Sequence, residues 1–260
     1  MRILLLGDIY GRPGREMVRE YLPEITTLYS PNFIVANGEN SAGGFGITEK
    51  VAEELFGMGV NVITSGNHIW DKKEVYSYLD QEMRLLRPAN YPPQVPGQYL
   101  YLTEVQGKSI AVINLIGRVF MGDYDCPFRR FDQVFAEINK ETSIVIVDFH
   151  GEATSEKQAF AWYVDGRASV VVGTHTHVPT SDERILPRGT AYTTDLGMCG
   201  PLNGILGVDR DIVINRFLTQ LPARFSVAKG PRQLCGVIVD IDVNGKAQKI
   251  FRIYYEKNIV

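Results

Sequence analysis

The chain is poor in the features that mark several common classes of protein. Only three of its 260 residues are cysteine, Cys126, Cys199 and Cys235, an odd number set far apart and in no CxxC spacing. That excludes a disulfide framework and points to a reducing, cytoplasmic setting. No apolar run approaches eighteen residues, and the N-terminal MRILLLGD is too short for a signal segment or a membrane span. The net charge of -3, from 27 basic and 30 acidic residues scattered along the chain, supplies no basic face for duplex nucleic acid and leaves open a small phosphate ligand. Internal repeats and low-complexity tracts are absent as well. Histidine is scarce, with four in the whole chain, so the placement of each needs a reason.

What remains is a chain with 45% hydrophobic content, long enough for one large domain spanning residues 1–260. Short β-branched apolar runs alternate with polar, helix-like segments, the pattern of an α/β fold with a largely parallel sheet. Strands are expected at about 2–7, 32–37, 60–65, 109–115, 143–149 and 169–174, and helices at 14–29, 47–57, 70–80, 130–141 and 154–165, the last capped by Thr154 or Ser155. Past Thr190 the segments GTAYTTDLG, QLCGVIVDIDV and KAQKIFRIYYE read as antiparallel strands and suggest a second sheet, with Asn244-Gly245 as a two-residue hairpin turn. The Pro-rich stretch 87–97 reads as a structured loop that, with segment 117–130, rims a pocket.

The residues that follow the expected strands share a chemistry. Asp8 follows the first, Glu39-Asn40 the second, Asn67-His68 the third, His150 the fifth, and His175 with His177 the sixth. In open α/β sheets ligands sit beyond the carboxyl ends of the strands, so these side chains converge although they are scattered along the chain. The stretch VVVGTHTHVPT (170–180) sets His175 and His177 one residue apart, where an extended chain turns both imidazoles to one face about 6.6 Å apart. Two carboxylates, two carboxamides and three or four imidazoles exceed what one ion needs, which implies two divalent ions. Mixed oxygen and nitrogen donors suit iron, manganese or zinc.

These residues resemble the calcineurin-like metallophosphoesterase superfamily. Its ordered motifs correspond to GDIY (7–10), NGEN (37–40), SGNHIWD (65–71), DFHGE (148–152) and GTHTH (173–177). The YmdB-like branch of bacterial phosphodiesterases is similar nearly end to end, through GENSAGGFGIT, GNHIWDKKE, VDFHGEATSEK, GTHTHVPTSDERILP and GTAYTTDLGM. The fold this implies is a single-domain four-layer α/β/β/α sandwich, two mixed β-sheets packed face to face and flanked by helices. The resemblance also implies one ion on Asp8, Glu39, Asn40 and His177 and another on Glu39, Asn67, His150 and His175, with Glu39 bridging. Two residues depart from the wider superfamily: Tyr10 stands where a histidine is usual and Glu39 where the bridging aspartate is usual. A carbonyl oxygen from Asn40 in place of that histidine makes the first site richer in oxygen and favours Fe or Mn over Zn. Tyr10 is then free to approach substrate or to pack.

The expected reaction is hydrolysis of a phosphodiester, with (cyclic) nucleotides implied by the YmdB-like branch. A metal-bridging hydroxide is the nucleophile and His68 the general acid that protonates the leaving alkoxide. His68 adjoins Asn67 without being needed to complete either ligand set, and Asp71 either orients it or caps a helix. Backbone amides of Gly43 and Gly44, in the glycine-rich run 42–48, either meet a phosphate or form a plain turn. Arg118 either contacts the substrate or is solvated. A phosphatase for a small phosphorylated metabolite and a metal-stabilised nucleotide-binding regulatory protein are the alternatives. An amidohydrolase would carry HxH after its first strand, where this chain has Asp8. Oligomeric state is left open, a homo-oligomer included.

Overall fold

The computed structural model describes residues 1–258. Its elements in chain order begin β1 (Arg2–Leu6), β2 (Asp8–Ile9), α1 (Gly11–Tyr29), β3 (Phe33–Asn37), α2 (Glu49–Gly57) and β4 (Val62–Thr64). A turn of 3-10 helix (Asn67–Trp70) follows, then α3 (Val75–Leu79), β5 (Leu100–Val105), β6 (Lys108–Ile116), α4 (Pro127–Ile138), β7 (Ile144–His150), α5 (Thr154–Val164) and β8 (Val170–Thr174). The chain closes with β9 (Arg184–Ile185), β10 (Ala191–Thr193), β11 (Met198–Pro201), α6 (Arg210–Thr219), β12 (Arg232–Ile241) and β13 (Ala247–Lys257). One sheet runs β2-β11-β12-β1-β3-β4, with β13 also paired to β12; the other runs β5-β6-β7-β8-β10-β9.

Alternation along the strands makes the layers. In β1, Ile3 and Leu5 join Ile110, Val112, Ile144, Ile146, Val170 and Val172 of the second sheet in one apolar layer. Leu4 and Leu6, on the opposite face, pack with Met17, Val18 and Leu22 of α1 and Val51 and Leu55 of α2. In β7 the intervening residues Val145, Val147 and Phe149 turn outward onto Phe131 and Val134 of α4 and Phe160 and Val164 of α5. Successive side chains of a strand point to opposite faces, and both faces here are covered by apolar surface, so strand runs such as LLL and IVIV need no polar alternation. The result is the expected helix, sheet, sheet, helix order.

The division of strands between the sheets differs from expectation. The second half does not form the second sheet by itself: β12 and β13 return to the first, where β12 pairs antiparallel with β1, Leu4 opposite Ile238. The GTAYTTDLG strand β10 runs parallel to β8 and antiparallel only to β9. Both outcomes depend on which distant strand offers a free edge, which local pattern does not encode. Of the expected helix 70–80 only α3 (Val75–Leu79) forms; a separate 3-10 turn (Asn67–Trp70) precedes it, where the Glu39 carboxylate accepts the His68 N–H at 3.3 Å. Asn244-Gly245 is not a two-residue turn: residues 242–246 form the loop, with Asp242 accepting from the Asn244 and Lys246 amides. Neither Thr154 nor Ser155 caps α5, whose N-cap is Ala153. No helix among the described residues is long and apolar enough to cross a membrane.

Candidate metal centre

The carboxyl ends of β1, β3, β4, β7 and β8 lie together, and the polar residues beyond them meet across the two sheets. Ligand-type atoms of Glu39, His150 and His175 lie within 4.8 Å of one another, as do those of Asp8, Glu39 and His177. Glu39 is common to both groups. Asn67 joins the first through Oδ1, 3.2 Å from His150 Nε2. Asn40 joins the second, its amide nitrogen 3.0 Å from Glu39 Oε1 and 3.1 Å from His177 Nε2. Turning that carboxamide over presents its oxygen to the same point, since the two ends have nearly the same shape.

The donor set fits cations. His150 Nε2 has three acceptors around it: Glu39 Oε1 at 3.2 Å, Asn67 Oδ1 at 3.2 Å and His175 Nδ1 at 3.0 Å. A single proton cannot serve all three, whereas an ion placed among them can. Among the described residues, Asp8 Oδ1 is buried without a hydrogen-bond partner, a costly position for a carboxylate oxygen that nothing coordinates. Gly66 leaves the space: a Cβ there would sit 2.3 Å from both Glu39 Oε2 and His150 Nε2.

Electrostatics follow from burial and mutual approach. Burial raises the Asp8 carboxyl to about 6, although His177 and His150 pull it down. Burial also opposes ionisation of Glu39, but the charge and hydrogen bond of His150, with His68 and His175, outweigh it and hold Glu39 at about 2. His150, which burial would lower, is raised to about 9 by Glu39 and then Asp8. His175 falls to about 3 through burial and the neighbouring His150. A negative cluster stabilised by one protonated imidazole is thus poised to exchange that proton for a cation.

Each imidazole is oriented from behind. His150 Nδ1 is 2.9 Å from Thr174 Oγ1, and that hydroxyl donates to Asp148 Oδ1 at 2.7 Å, so Thr174 accepts from Nδ1 and Nε2 faces the centre. His177 Nδ1 donates to the Leu206 carbonyl at 3.0 Å, and His175 Nε2 lies 3.1 Å from half-exposed Glu152. His68 Nδ1 is 2.9 Å from Asp71 Oδ2. Such partners select the tautomer and aim the lone pair. Sequence reasoning passed over Asp148, Thr174, Glu152 and Leu206. The first three lie inside the quoted motifs, and the DFHGE carboxylates were a signal available there.

His175 and His177 do not share a face of an extended strand. β8 ends at Thr174, and both histidines have left-handed backbones, φ 100° and 64°. They meet the centre because the chain turns sharply, not because of strand periodicity.

A cavity of about 220 Å³ opens over the cluster, lined by Glu39, Asn40, His68, Glu152, Thr176 and the two turn histidines, with Tyr10, Gly44, Phe45, Leu206, Val208 and Phe225 as its remaining wall. Gly44 reaches it; Gly43 is exposed beside it. Arg118 lies elsewhere, lining a separate depression with Tyr124 and Glu156 while its backbone N–H donates to Glu156. Neither 87–97 nor 117–130 contributes a lining residue to the cavity over the cluster. Tyr10 is buried and sets its ring edge-on to His177, centroids 5.5 Å apart.

Two facing mixed sheets with a buried carboxylate shared by two donor clusters at their carboxyl edge define the metallophosphoesterase class. Within it, the chain belongs to the YmdB-like protein family, whose model matches residues 4–253. It is 54% identical over 254 residues to a 2',3'-cyclic-nucleotide 2'-phosphodiesterase of Bacillus subtilis strain 168, covering 97% of this chain and 96% of that one. A hypothetical protein from Thermus thermophilus superposes with a TM-score of 0.94 at 41% identity, covering 99% of this chain and 100% of that chain. A Mycoplasma pneumoniae protein described as a novel phosphatase superposes with a TM-score of 0.94 at 34% identity, covering 99% and 94%.

The buried charges and the cleft between them each lead to a measurable outcome. Ionised Asp8 burdens the fold: with its carboxyl raised from 3.8 to about 6, the penalty is absent below about pH 4 and complete above about pH 6. Its size is on the order of 2–3 kcal/mol. In chelator-treated protein, Asp8→Asn should raise the melting temperature at pH 8 and leave it unchanged at pH 4; no gain at pH 8 would mean that the charge is already compensated. Gly66→Ala should keep the far-ultraviolet circular dichroism of the parent yet lose bound divalent metal by elemental analysis, and undiminished metal content would show that the cleft can yield.

Proposed function

We propose that the protein is a dinuclear metal-dependent phosphodiesterase acting on nucleotide phosphodiesters, 2',3'-cyclic nucleotides foremost. The observation that carries the diester preference is the cavity wall, which holds Glu39 and Glu152 but no lysine or arginine. With Glu39 engaged by the two ions, the described wall still offers no cationic side chain for the second charge of a monoester dianion, whereas a diester brings one negative charge. The apolar side formed by Phe45, Leu206, Val208 and Phe225 suits a nucleoside. The 54% identity with the Bacillus subtilis cyclic-nucleotide enzyme supports the same substrate class.

In this reading Asp8, Glu39, Asn40 and His177 hold one ion, Glu39, Asn67, His150 and His175 the other, and the oxygen-rich first set favours Fe or Mn over Zn. When bound, the pair polarises the phosphoryl group and supplies hydroxide at neutral pH. His68 donates the proton that the leaving ribose oxygen needs: with Nδ1 donating to Asp71, Nε2 is the nitrogen that carries and releases it. Phe45 packs edge-on against the His68 ring, centroids 5.2 Å apart, and limits its rotation. Asp148 and Thr174 hold His150 in the tautomer that leaves Nε2 free. The three thiols, all free of disulfides, suit a reducing cytoplasm.

The test is anaerobic purification, metal analysis and parallel assay of bis-p-nitrophenyl phosphate, p-nitrophenyl phosphate and a 2',3'-cyclic nucleotide, with Glu39→Gln as control. Two ions per chain and diesterase activity absent from Glu39→Gln are expected. Faster cleavage of the monoester would favour the phosphatase reading, and metal binding without turnover the regulatory one. His68→Ala should lose about 10²–10⁴ in kcat on the cyclic nucleotide. It should lose far less on bis-p-nitrophenyl phosphate, because nitrophenolate leaves without protonation; equal losses would remove His68 as the acid.

A further inference from the structure

One ion pair of the interior takes no part in the centre described above. Lys157 Nζ and Asp195 Oδ2 are 2.7 Å apart, and both side chains are 1% exposed. Asp195 belongs to the TTDLG segment between β10 and β11, and Lys157 to the first turns of α5. Two buried charges remain ionised inside a fold only where each has partners. The second partner of Asp195 is Thr176, the residue between His175 and His177: Oδ2 accepts the Thr176 hydroxyl at 2.7 Å and the Thr176 N–H at 3.1 Å. Its other oxygen accepts the Gly197 N–H at 2.8 Å.

The surroundings brace the same turn. The Thr180 N–H donates to the Asp195 carbonyl at 3.1 Å, and the Asp195 N–H to Thr180 Oγ1 at 3.0 Å, so the far end of the turn is tied to the same residue. At the near end the Leu196 N–H donates to the Gly173 carbonyl at 2.9 Å. Gly173 has no room for a side chain: a Cβ there would lie 1.8 Å from the Thr194 carbonyl oxygen and 2.9 Å from Lys157 Cδ. Lys157 therefore lies directly beneath the turn it helps to hold. Both histidines have positive φ, which L residues rarely adopt and which persists only where the surroundings over-determine it.

We infer that the Lys157–Asp195 pair is a positioning device for the metal centre, holding Thr176, and through it both His175 and His177, in the left-handed turn that aims their ring nitrogens at the two donor clusters. Lys157 pairs with Asp195 in the interior, and the same carboxylate oxygen accepts from the two Thr176 donors. Because the histidines belong to different clusters, slackening the turn disturbs both ions at once. Loss of a ligand that belongs to one cluster, such as Asn67, disturbs one. This inference rests on the dinuclear reading of the site.

The experiment is Mn2+ titration of chelator-treated protein, with free Mn2+ followed by electron paramagnetic resonance, for the parent, Thr176→Val, Thr176→Ser, Asp195→Asn and the one-cluster control Asn67→Ala. Thr176→Val and Asp195→Asn should weaken both binding steps by about 10- to 100-fold, the range typical of outer partners of metal ligands. Thr176→Ser, which keeps the hydroxyl, should bind like the parent, and Asn67→Ala should weaken one step. Folded Thr176→Val and Asp195→Asn proteins that bind both ions within twofold of the parent overturn the inference. If Asp195→Asn does not fold, Thr176→Val decides, since it removes one hydroxyl and leaves the pair intact. A parent that takes up no Mn2+ overturns the dinuclear reading itself, and this inference with it.

Discussion

The burial of Glu39 between His150 and the second donor cluster is the constraint around which the rest of the site is arranged. A carboxylate 1% exposed cannot stay ionised by solvation, so its charge must be met by what the fold brings to it. Here that is a histidine from the opposite sheet at 3.2 Å, the amide of Asn40, and the backbone N–H of His68. The two sheets are therefore joined by electrostatics at their carboxyl edge as well as by the apolar layer between them. Asp8, equally buried and less well satisfied, has a carboxylate oxygen that no group among the described residues meets by a hydrogen bond.

Around these charges the fold commits much of its buried polar chemistry to orientation. Asp148, fully enclosed, accepts from Thr64, Thr174 and Asn37, three residues at the ends of three different strands. Its network fixes one ring of the cluster and also the relative position of β3, β4, β7 and β8. Asp195 performs the corresponding task for the turn after β8. A site made of groups on five separated segments needs such supports, because each donor must be held within a fraction of an ångström by its own surroundings.

The layered fold was legible because its strands are dense apolar runs that must be covered on both faces, and runs such as ILLL and IVIV say so directly. Strand β5 and helix α6 were not. β5 alternates only weakly in burial, and the hairpin that ends it turns at Gln106-Gly107, both at positive φ, a weaker signal than Asn-Gly. Helix α6 has Ile214, Phe217 and Leu218 exposed, so it lacks the one-sided apolar stripe by which a helix is read. Glu152 and Asp148 were overlooked for a different reason: a carboxylate beside a metal-type histidine reads as surface charge until the direction of the chain is known.

The sequence by itself determined which residues meet. Residue types suited to metals stand at the ends of apolar runs, and a strand's carboxyl end is where an α/β sheet presents its loops, so Asp8, Glu39, Asn40, Asn67, His150, His175 and His177 could be grouped before any coordinate. Only the tertiary structure decided how they meet. That includes the sharp left-handed turn that replaces an extended HxH, the hydroxyl, carbonyl and carboxylate partners that orient each imidazole, and the placement of Arg118 outside the cavity. It also includes the return of β12 and β13 to the first sheet. The physical reason is common to all of these: strand periodicity and residue chemistry are local, while hydrogen-bond partners, backbone strain and sheet edges are settled by segments far apart in the chain competing for the same space.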